Sequence, residues 1–309
     1  MQNTDTKENV NCDLCGCDNT KLIYVERGFN IVECSNCSLV YVNPRPKEVE
    51  YKIKTNLSYK QLIADSLGKS ENDLGKNDIN RQFYIKTRLE ESQKNLKEIE
   101  KVCKNKGALL DVGCGEGFFL KAARDSGWQA TGIEMSINHQ PLQEYGLDVI
   151  VQDFLDVDLP INSFEVITFL DVLEHLPRPS EVISKAQKLL KKEGLLVIRV
   201  PNEKFLRLKM RIIRKIFGKD FYLKNKNLSL LGFYAPETHI FNFNQNTLEV
   251  MLQKFCFIIL KVKLGKFCIG TGKIRFLIHY LLFYIANIVF LLSYGRINYG
   301  CSIIIFARK

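Results

Sequence analysis

Leu109-Leu110-Asp111-Val112-Gly113-Cys114-Gly115-Glu116-Gly117-Phe118-Phe119-Leu120 is an apolar strand that runs straight into a glycine-rich turn and then into a helix. Glycines at 113, 115 and 117 allow positive φ and place no Cβ in the way, so the backbone can pass close to a ligand at the helix start. That arrangement suits a nucleotide-type cofactor. A dinucleotide fold needs G-x-G-x-x-G, whose third glycine would fall at 118, and Phe118 stands there instead. The spacing therefore disfavours a pyrophosphate cradle, with a glycine loop of some other α/β unit as the plain alternative.

With Asp111 two residues before the first glycine, the stretch resembles motif I (D-x-G-x-G-x-G) of class I S-adenosylmethionine-dependent methyltransferases. The resemblance implies a Rossmann-like α/β fold: a seven-stranded, mostly parallel sheet whose last strand is antiparallel. It also implies a cofactor site built from Asp111, Gly113, Cys114, Gly115 and Gly117. Trp128–Ile133 reads as the second strand, and Glu134 stands 23 residues after Asp111, where the family places the ribose-binding acid, followed by Met135. Leu147–Val151 reads as the third strand, and by the same resemblance Asp153 meets the adenine amino group beside the apolar Phe154. Phe164–Leu170 is an apolar fourth strand. It leads into Asp171-Val172-Leu173-Glu174-His175-Leu176, similar to the D-V-x-E-H signature of the small-molecule branch, which adds Asp171 to the cofactor set. Leu195–Val200, Cys256–Leu264 and Cys301–Phe306 read as strands five to seven. Alternating strands and helices bring these residues to the carboxyl edge of one sheet.

The first ten residues are polar, without the apolar run of a secretory signal, so cytoplasmic synthesis is expected. Five of the ten cysteines lie in the first 37 residues. Cys12-x2-Cys15 and Cys34-x2-Cys37 have four-thiolate zinc spacing, with Cys17 as a spare thiol that could replace Cys15. Such a closed site is structural. The run Cys34–Pro46 resembles the N-terminal zinc-binding segment of many bacterial methyltransferases of glycan and sugar pathways. The expected organisation is a zinc ribbon over 1–46, a helical linker or lid over 47–105 and the methyltransferase domain over 106–309. Within the linker, Ser66–Asn80 looks like a loop. Gln82–Lys104 reads as an amphipathic helix that lids the cofactor in related enzymes, or else simply packs with one face in solvent.

The formal charge of +10 is concentrated: Lys204 to Lys226 holds nine basic residues against Asp220 alone, a local +8 that leaves +2 for the remainder. Interleaved apolar residues make this a basic amphipathic helix, an insert over 204–229 suited to an anionic membrane, to RNA phosphates or merely to solvent. Phe276–Gly295 is twenty residues without a charge. A single crossing there would put strands six and seven on opposite sides of a bilayer, so the apolar insert over 274–297 is expected to dip into one leaflet or pack against the basic helix, with an ordinary buried helix or a contact between two subunits as the plain alternative.

Methyl transfer to a hydroxyl needs alignment and a base. His175 with Glu174, and His239 in Thr238-His239-Ile240-Phe241, are the candidates near the sheet edge. An N/D-P-P-Y motif after strand four and a Pro-Cys dipeptide are both missing, which disfavours base-amine and cytosine-C5 chemistry. The expected acceptor is a saccharide or a lipid-linked, amphiphilic small molecule. RNA methylation and a non-catalytic cofactor-binding scaffold are the alternatives.

Overall fold

The computed structural model describes residues 7–26, 28–48, 79–103, 105–135, 145–217, 236, 238–265 and 284–309. His139, His279, most of the stretch Ser66–Asn80 and the stretches 218–235 and 266–283 lie outside them.

The cysteine segment contributes β1 (Lys7–Glu8), β2 (Thr20–Glu26), β3 (Phe29–Cys34), β4 (Val40–Val42) and β5 (Arg45–Pro46). α1 follows at Ile79–Glu100, starting earlier than expected and taking Ile79 and Asn80 from the anticipated loop. The remaining elements are β6 (Ala108–Val112), α2 (Phe118–Asp125), β7 (Gln129–Glu134), β8 (Asp148–Val151), β9 (Phe164–Leu170), α3 (Pro179–Leu189), β10 (Leu190–Pro201), α4 (Glu203–Phe217), β11 (Phe241–Asn242), α5 (Gln245–Lys254), β12 (Ile258–Gly265) and β13 (Ser302–Arg308).

Seven strands form the central sheet in the order β12-β13-β10-β9-β6-β7-β8. β8, β7, β6, β9 and β10 pair in parallel, and β13 runs antiparallel between β10 and β12. The expected fold is therefore the observed one. The last strand in the chain, however, is not at the sheet's margin, because β12 takes the edge. Strands β6, β9 and β10 are buried on both faces, as their unbroken apolar sequences require: Leu109, Leu110, Val166, Ile167, Phe169, Leu196 and Ile198 are at most 2% exposed. The fifth strand begins earlier than its apolar run, and the pairing slips between Leu190 and Leu195 where Glu193 takes a positive φ. α5 starts at a reciprocal cap: the Asn244 side chain accepts from Thr247 N, and Asn244 N donates to Thr247 Oγ1, each at 3.1 Å.

The cysteine segment does not stand apart from the central sheet. Its four-stranded sheet has the order β11-β4-β3-β2, so Phe241–Asn242, far along the chain, supplies one strand. Cys12, Leu14, Val32, Cys34, Leu39 and Tyr41 belong to the same buried cluster as Leu110, Ile167, Phe241 and Phe243. Ser180 N, at the start of α3, donates to Asp13 Oδ2 at 2.9 Å.

α4 is amphipathic as expected, and the structure shows what its apolar face covers. Phe205, Leu206 and Met210 are buried, and Leu206 and Met210 pack with Tyr24, Ile31 and Val40 of the cysteine sheet. Part of this apolar face is thus spent on protein, while Leu208 and Ile212 are exposed. Arg207 is held by Glu203 and Glu33 at 2.5 and 3.1 Å, whereas Arg211 and Lys215 are exposed. Residues 284–292 are helical, and around them Ile285, Ile288, Leu291, Leu292 and Tyr294 are exposed. Among the described residues no helix is long and apolar enough to cross a membrane.

Candidate active site

β6 ends in the glycine loop, and all three glycines take the left-handed conformation, with φ of 69°, 53° and 78° at 113, 115 and 117. Gly113 and Cys114 donate their backbone N–H groups to Ile133 O, at 2.8 and 3.1 Å, which binds the loop to β7. A Cβ on Gly113 would lie 2.5 Å from Val172 Cγ2, so the loop is pressed against the segment that follows β9. α2 begins at Gly117 without a side-chain cap, leaving its N-terminus facing that loop.

Glu134 closes one side of the loop. Its carboxylate accepts from Gly115 N at 2.9 Å and from Met135 N at 2.8 Å, so the residue expected to hold the cofactor's ribose is joined to two others of the expected cofactor set. Asp111 is buried, accepts from Thr168 Oγ1 at 2.6 Å, and is pushed up to about 7, first by burial and then by the Glu134 charge. Asp153 Oδ1 accepts from Leu155 N at 3.0 Å.

Three side chains from the expected cofactor set are committed elsewhere. The Cys114 thiol is buried against Gly132 and Leu120, so it lies in the core behind the loop and only its backbone lines the turn. Phe154 is 3% exposed and packs edge-on to Phe169 at 5.6 Å between ring centres. Asp171, at φ 62°, gives both carboxylate oxygens to Arg199, at 2.9 and 2.5 Å. Arg199 is itself buried and reaches Glu91 of α1 at 2.7 Å. Tyr84 of α1 also donates to Glu116 Oε2 in the glycine loop, at 2.9 Å. Two bonds thus tie α1 to the site. Sequence reasoning misses Arg199, although a lone arginine inside the apolar run Leu195–Val200 is a visible signal. Nothing in the sequence marks Glu91 or Tyr84.

Beyond Asp171 a single 3₁₀ turn, Leu173–His175, carries the candidate acid–base pair, and the approach to β11 brings His239 beside it. The two imidazoles meet edge to face, 4.6 Å between ring centres. Residues 64 apart in sequence are thereby one group. His175 Nδ1 lies 2.8 Å from Thr238 O. A carbonyl only accepts, so Nδ1 carries the proton and Nε2 keeps its lone pair. Burial lowers the pKa of His175, and burial together with the His175 charge holds His239 well below the usual histidine range. Glu174 is 1% exposed, neither of its carboxyl oxygens has a hydrogen-bond partner, and burial followed by the Asp171 charge raises it well above the ordinary carboxylate range.

In the cysteine segment, Cys12, Cys15, Cys34 and Cys37 place their sulfurs within 4.8 Å of one another, including Sγ–Sγ distances of 3.4 Å for Cys12–Cys37 and 3.5 Å for Cys15–Cys34. Zn–S bonds of about 2.3 Å in a tetrahedron put sulfurs roughly 3.7 Å apart, so the four thiols suit a zinc ion. Cys17 instead points to Asn19 O at 3.9 Å and is outside the group.

The chain is 34% identical over 128 residues to a ubiquinone biosynthesis O-methyltransferase of Haemophilus ducreyi, covering 38% of this chain and 52% of that protein. It is 33% identical over 118 residues to the protein of that name from Coxiella burnetii, covering 36% and 50%. It spans about half the length of these curated relatives. Among solved structures, a SAM-dependent methyltransferase from Archaeoglobus fulgidus aligns with 75% of this chain and 100% of its own, at 24% identity and a TM-score of 0.49. The methyltransferase-domain family matches residues 84–262, more than half of the 309 residues, from within α1 to within the edge strand β12, and the chain belongs to that family.

Proposed function

We propose that the protein transfers a methyl group from S-adenosylmethionine to a hydroxyl of a saccharide or lipid-linked, amphiphilic small molecule, at a membrane surface. The observation that carries this reading is a meeting at one sheet edge. There the left-handed glycine loop with Glu134 lies beside a segment bearing Glu174 and His175, joined by His239. The cofactor would occupy the open loop, with Glu134 released from Gly115 N to take the ribose hydroxyls and Asp153 at the adenine. The Glu174–His175–His239 group would face the acceptor and ionise its hydroxyl. The names of the relatives support oxygen as the methylated atom, although those names refer to ubiquinone biosynthesis and not to a saccharide. The four cysteines would hold zinc as a structural ion, fixing the sheet that supplies β11 and so the position of His239.

The exposed row Ile285, Ile288, Leu291, Leu292 and Tyr294, with Arg296 beside it and Arg211 and Lys215 on α4, supports docking on an anionic bilayer, which would favour an amphiphilic acceptor. Flotation with anionic vesicles at low salt tests this part. Wild-type protein that stays with the unbound fraction sinks it.

Calorimetric titration with S-adenosylmethionine and S-adenosylhomocysteine tests the central claim. Glu134→Ala is expected to weaken both, since two charge-assisted hydrogen bonds are worth about 3–6 kcal/mol net of their exchange with water. A folded wild-type chain that binds neither compound refutes the proposal. Cofactor binding with no turnover on lipid-linked, glycan or RNA acceptors would instead favour a scaffold.

A further inference from the structure

Glu174 poses an electrostatic problem that acid–base chemistry leaves open. Its two carboxyl oxygens are shut away from solvent with no hydrogen-bond partner, although an unpaired buried carboxylate is among the costliest groups a fold can hold. Beside it stand two imidazoles rather than an uncommitted cation. His175 Nε2 lies 3.9 Å from Glu174 Oε1, and the Thr238 carbonyl fixes that nitrogen as a lone-pair donor. One ligating atom each from Glu174, His175 and His239 falls within 4.8 Å of the others. Three electron-pair donors thus converge on one point, while Arg199, the cation nearby, is bound to Asp171 and Glu91.

We propose that Glu174, His175 and His239 bind one divalent first-row cation, separate from the four-cysteine site. Two imidazole nitrogens and one carboxylate oxygen are a donor set suited to Mn²⁺, Fe²⁺ or Zn²⁺, and three protein ligands leave coordination positions open for another molecule. Bonds of about 2.1 Å require donors roughly 3–3.5 Å apart, so modest side-chain rotations close the site. The Thr238 carbonyl supplies the outer contact that commonly fixes a metal-binding histidine's tautomer. Asp171 is not a ligand, because both of its oxygens are held by Arg199. The four cysteines select soft, thiophilic ions, whereas this site accepts harder ones.

The inference rests on the proposed methyl transfer for its use. The cation supplies a Lewis acid for the acceptor's hydroxyl. The hydroxyl proton leaves to solvent, an oxygen lone pair forms the new bond to the methyl carbon, and the C–S pair returns to sulfur. The products are a methyl ether and neutral S-adenosylhomocysteine.

Mn²⁺ titrated into zinc-replete full-length protein and followed by electron paramagnetic resonance tests the site, since Mn²⁺ does not compete for four thiolates. The expected result is one Mn²⁺ per chain, with affinity reduced at least tenfold in both Glu174→Gln and His239→Asn and unchanged in Glu134→Ala. Circular dichroism identifies any variant that fails to fold, and each of the two ligand substitutions is a test by itself. No Mn²⁺ binding up to millimolar concentration in protein that binds S-adenosylhomocysteine overturns the cation site and leaves the methyltransferase reading standing. Binding of Mn²⁺ that neither substitution weakens also overturns it. Mn²⁺ binding in a chain that takes neither cofactor form would support the site while refuting the function proposed for it.

Discussion

Gly113→Ala separates two physical demands that the glycine loop makes at one position. The first is conformational: at φ 69° an alanine pays the left-handed penalty of about 1–2 kcal/mol. The second is steric, because the new Cβ would sit 2.5 Å from Val172 Cγ2 and 2.9 Å from Cγ1, distances that force the valine or the loop to move. Forced displacement in a packed site costs about 1–3 kcal/mol, giving a total near 2–5 kcal/mol. Gly127→Ala is the matched control, since Gly127 has φ 89° and nothing lies within 4 Å of the point where a Cβ would stand. It should lose only the conformational part. Urea unfolding read by circular dichroism supplies both values, and the double variant Gly113→Ala/Val172→Ala should recover much of the difference. Equal losses for Gly113→Ala and Gly127→Ala would refute the claim that the loop is wedged against the segment carrying Glu174 and His175. If the reasoning holds, Gly113→Ala should also weaken cofactor binding more than it weakens the fold, because Val172 precedes that segment directly.

Asp111 is raised from the ordinary carboxylate range to about 7, so between about pH 4 and pH 7 the folded chain binds more protons than the unfolded one. Stability contributed by protonated Asp111 is therefore lost as pH rises through that window, at up to about 1.4 kcal/mol per pH unit, and Asp111→Asn should flatten this part of the urea-midpoint profile. An unchanged slope would show that Asp111 is ionised throughout. Arg199→Met strands Asp171 and takes one partner from Glu91, which keeps Arg88 at 2.9 Å, at a cost of about 2–3 kcal/mol, below the fully buried range because both carboxylates are partly open to water. Glu91→Gln should loosen α1 alone, read as faster amide exchange over residues 82–100 with little change elsewhere; exchange that does not respond would show that the Arg199 contact does not hold the helix. Removing zinc from the four-cysteine site alone by Cys37→Ser should lower the thermal midpoint and also perturb the His239 imidazole resonance, because β11 pairs with β4 of the cysteine sheet. A His239 signal indifferent to zinc removal would separate the two sites.

The order of elements was legible because it depends on local pattern. Apolar runs such as Phe164–Leu170 form buried strands wherever the chain puts them, and positive-φ glycines mark a turn before any contact is known. The helix and strand limits moved by a few residues, chiefly where charged residues such as Lys191–Glu193 continue a strand that hydrophobicity alone would have started later. The site was legible as a set of residues and not as a geometry. The resemblance of the motifs indicated Glu134 and His175, but no motif could say that Asp171 is spent on Arg199, that the Cys114 thiol faces inward, or that Thr238 offers a carbonyl to His175.

The sequence by itself determined an alternation of strands and helices around a glycine loop, with four cysteines at zinc-like spacing, because those features lie in short-range periodicity, glycine positions and pair spacing; the seven-stranded methyltransferase sheet followed from the resemblance of its motifs. Tertiary structure decided what each amphipathic surface meets and which distant groups converge. α4's sequence required a partner for Phe205, Leu206 and Met210 but could not choose between lipid and protein, since burial is non-directional and any apolar surface satisfies it. The packing chose the cysteine sheet for Leu206 and Met210. His175 and His239 likewise came together only when β11 joined that sheet, a long-range pairing of two residues whose local sequence carries no record of it.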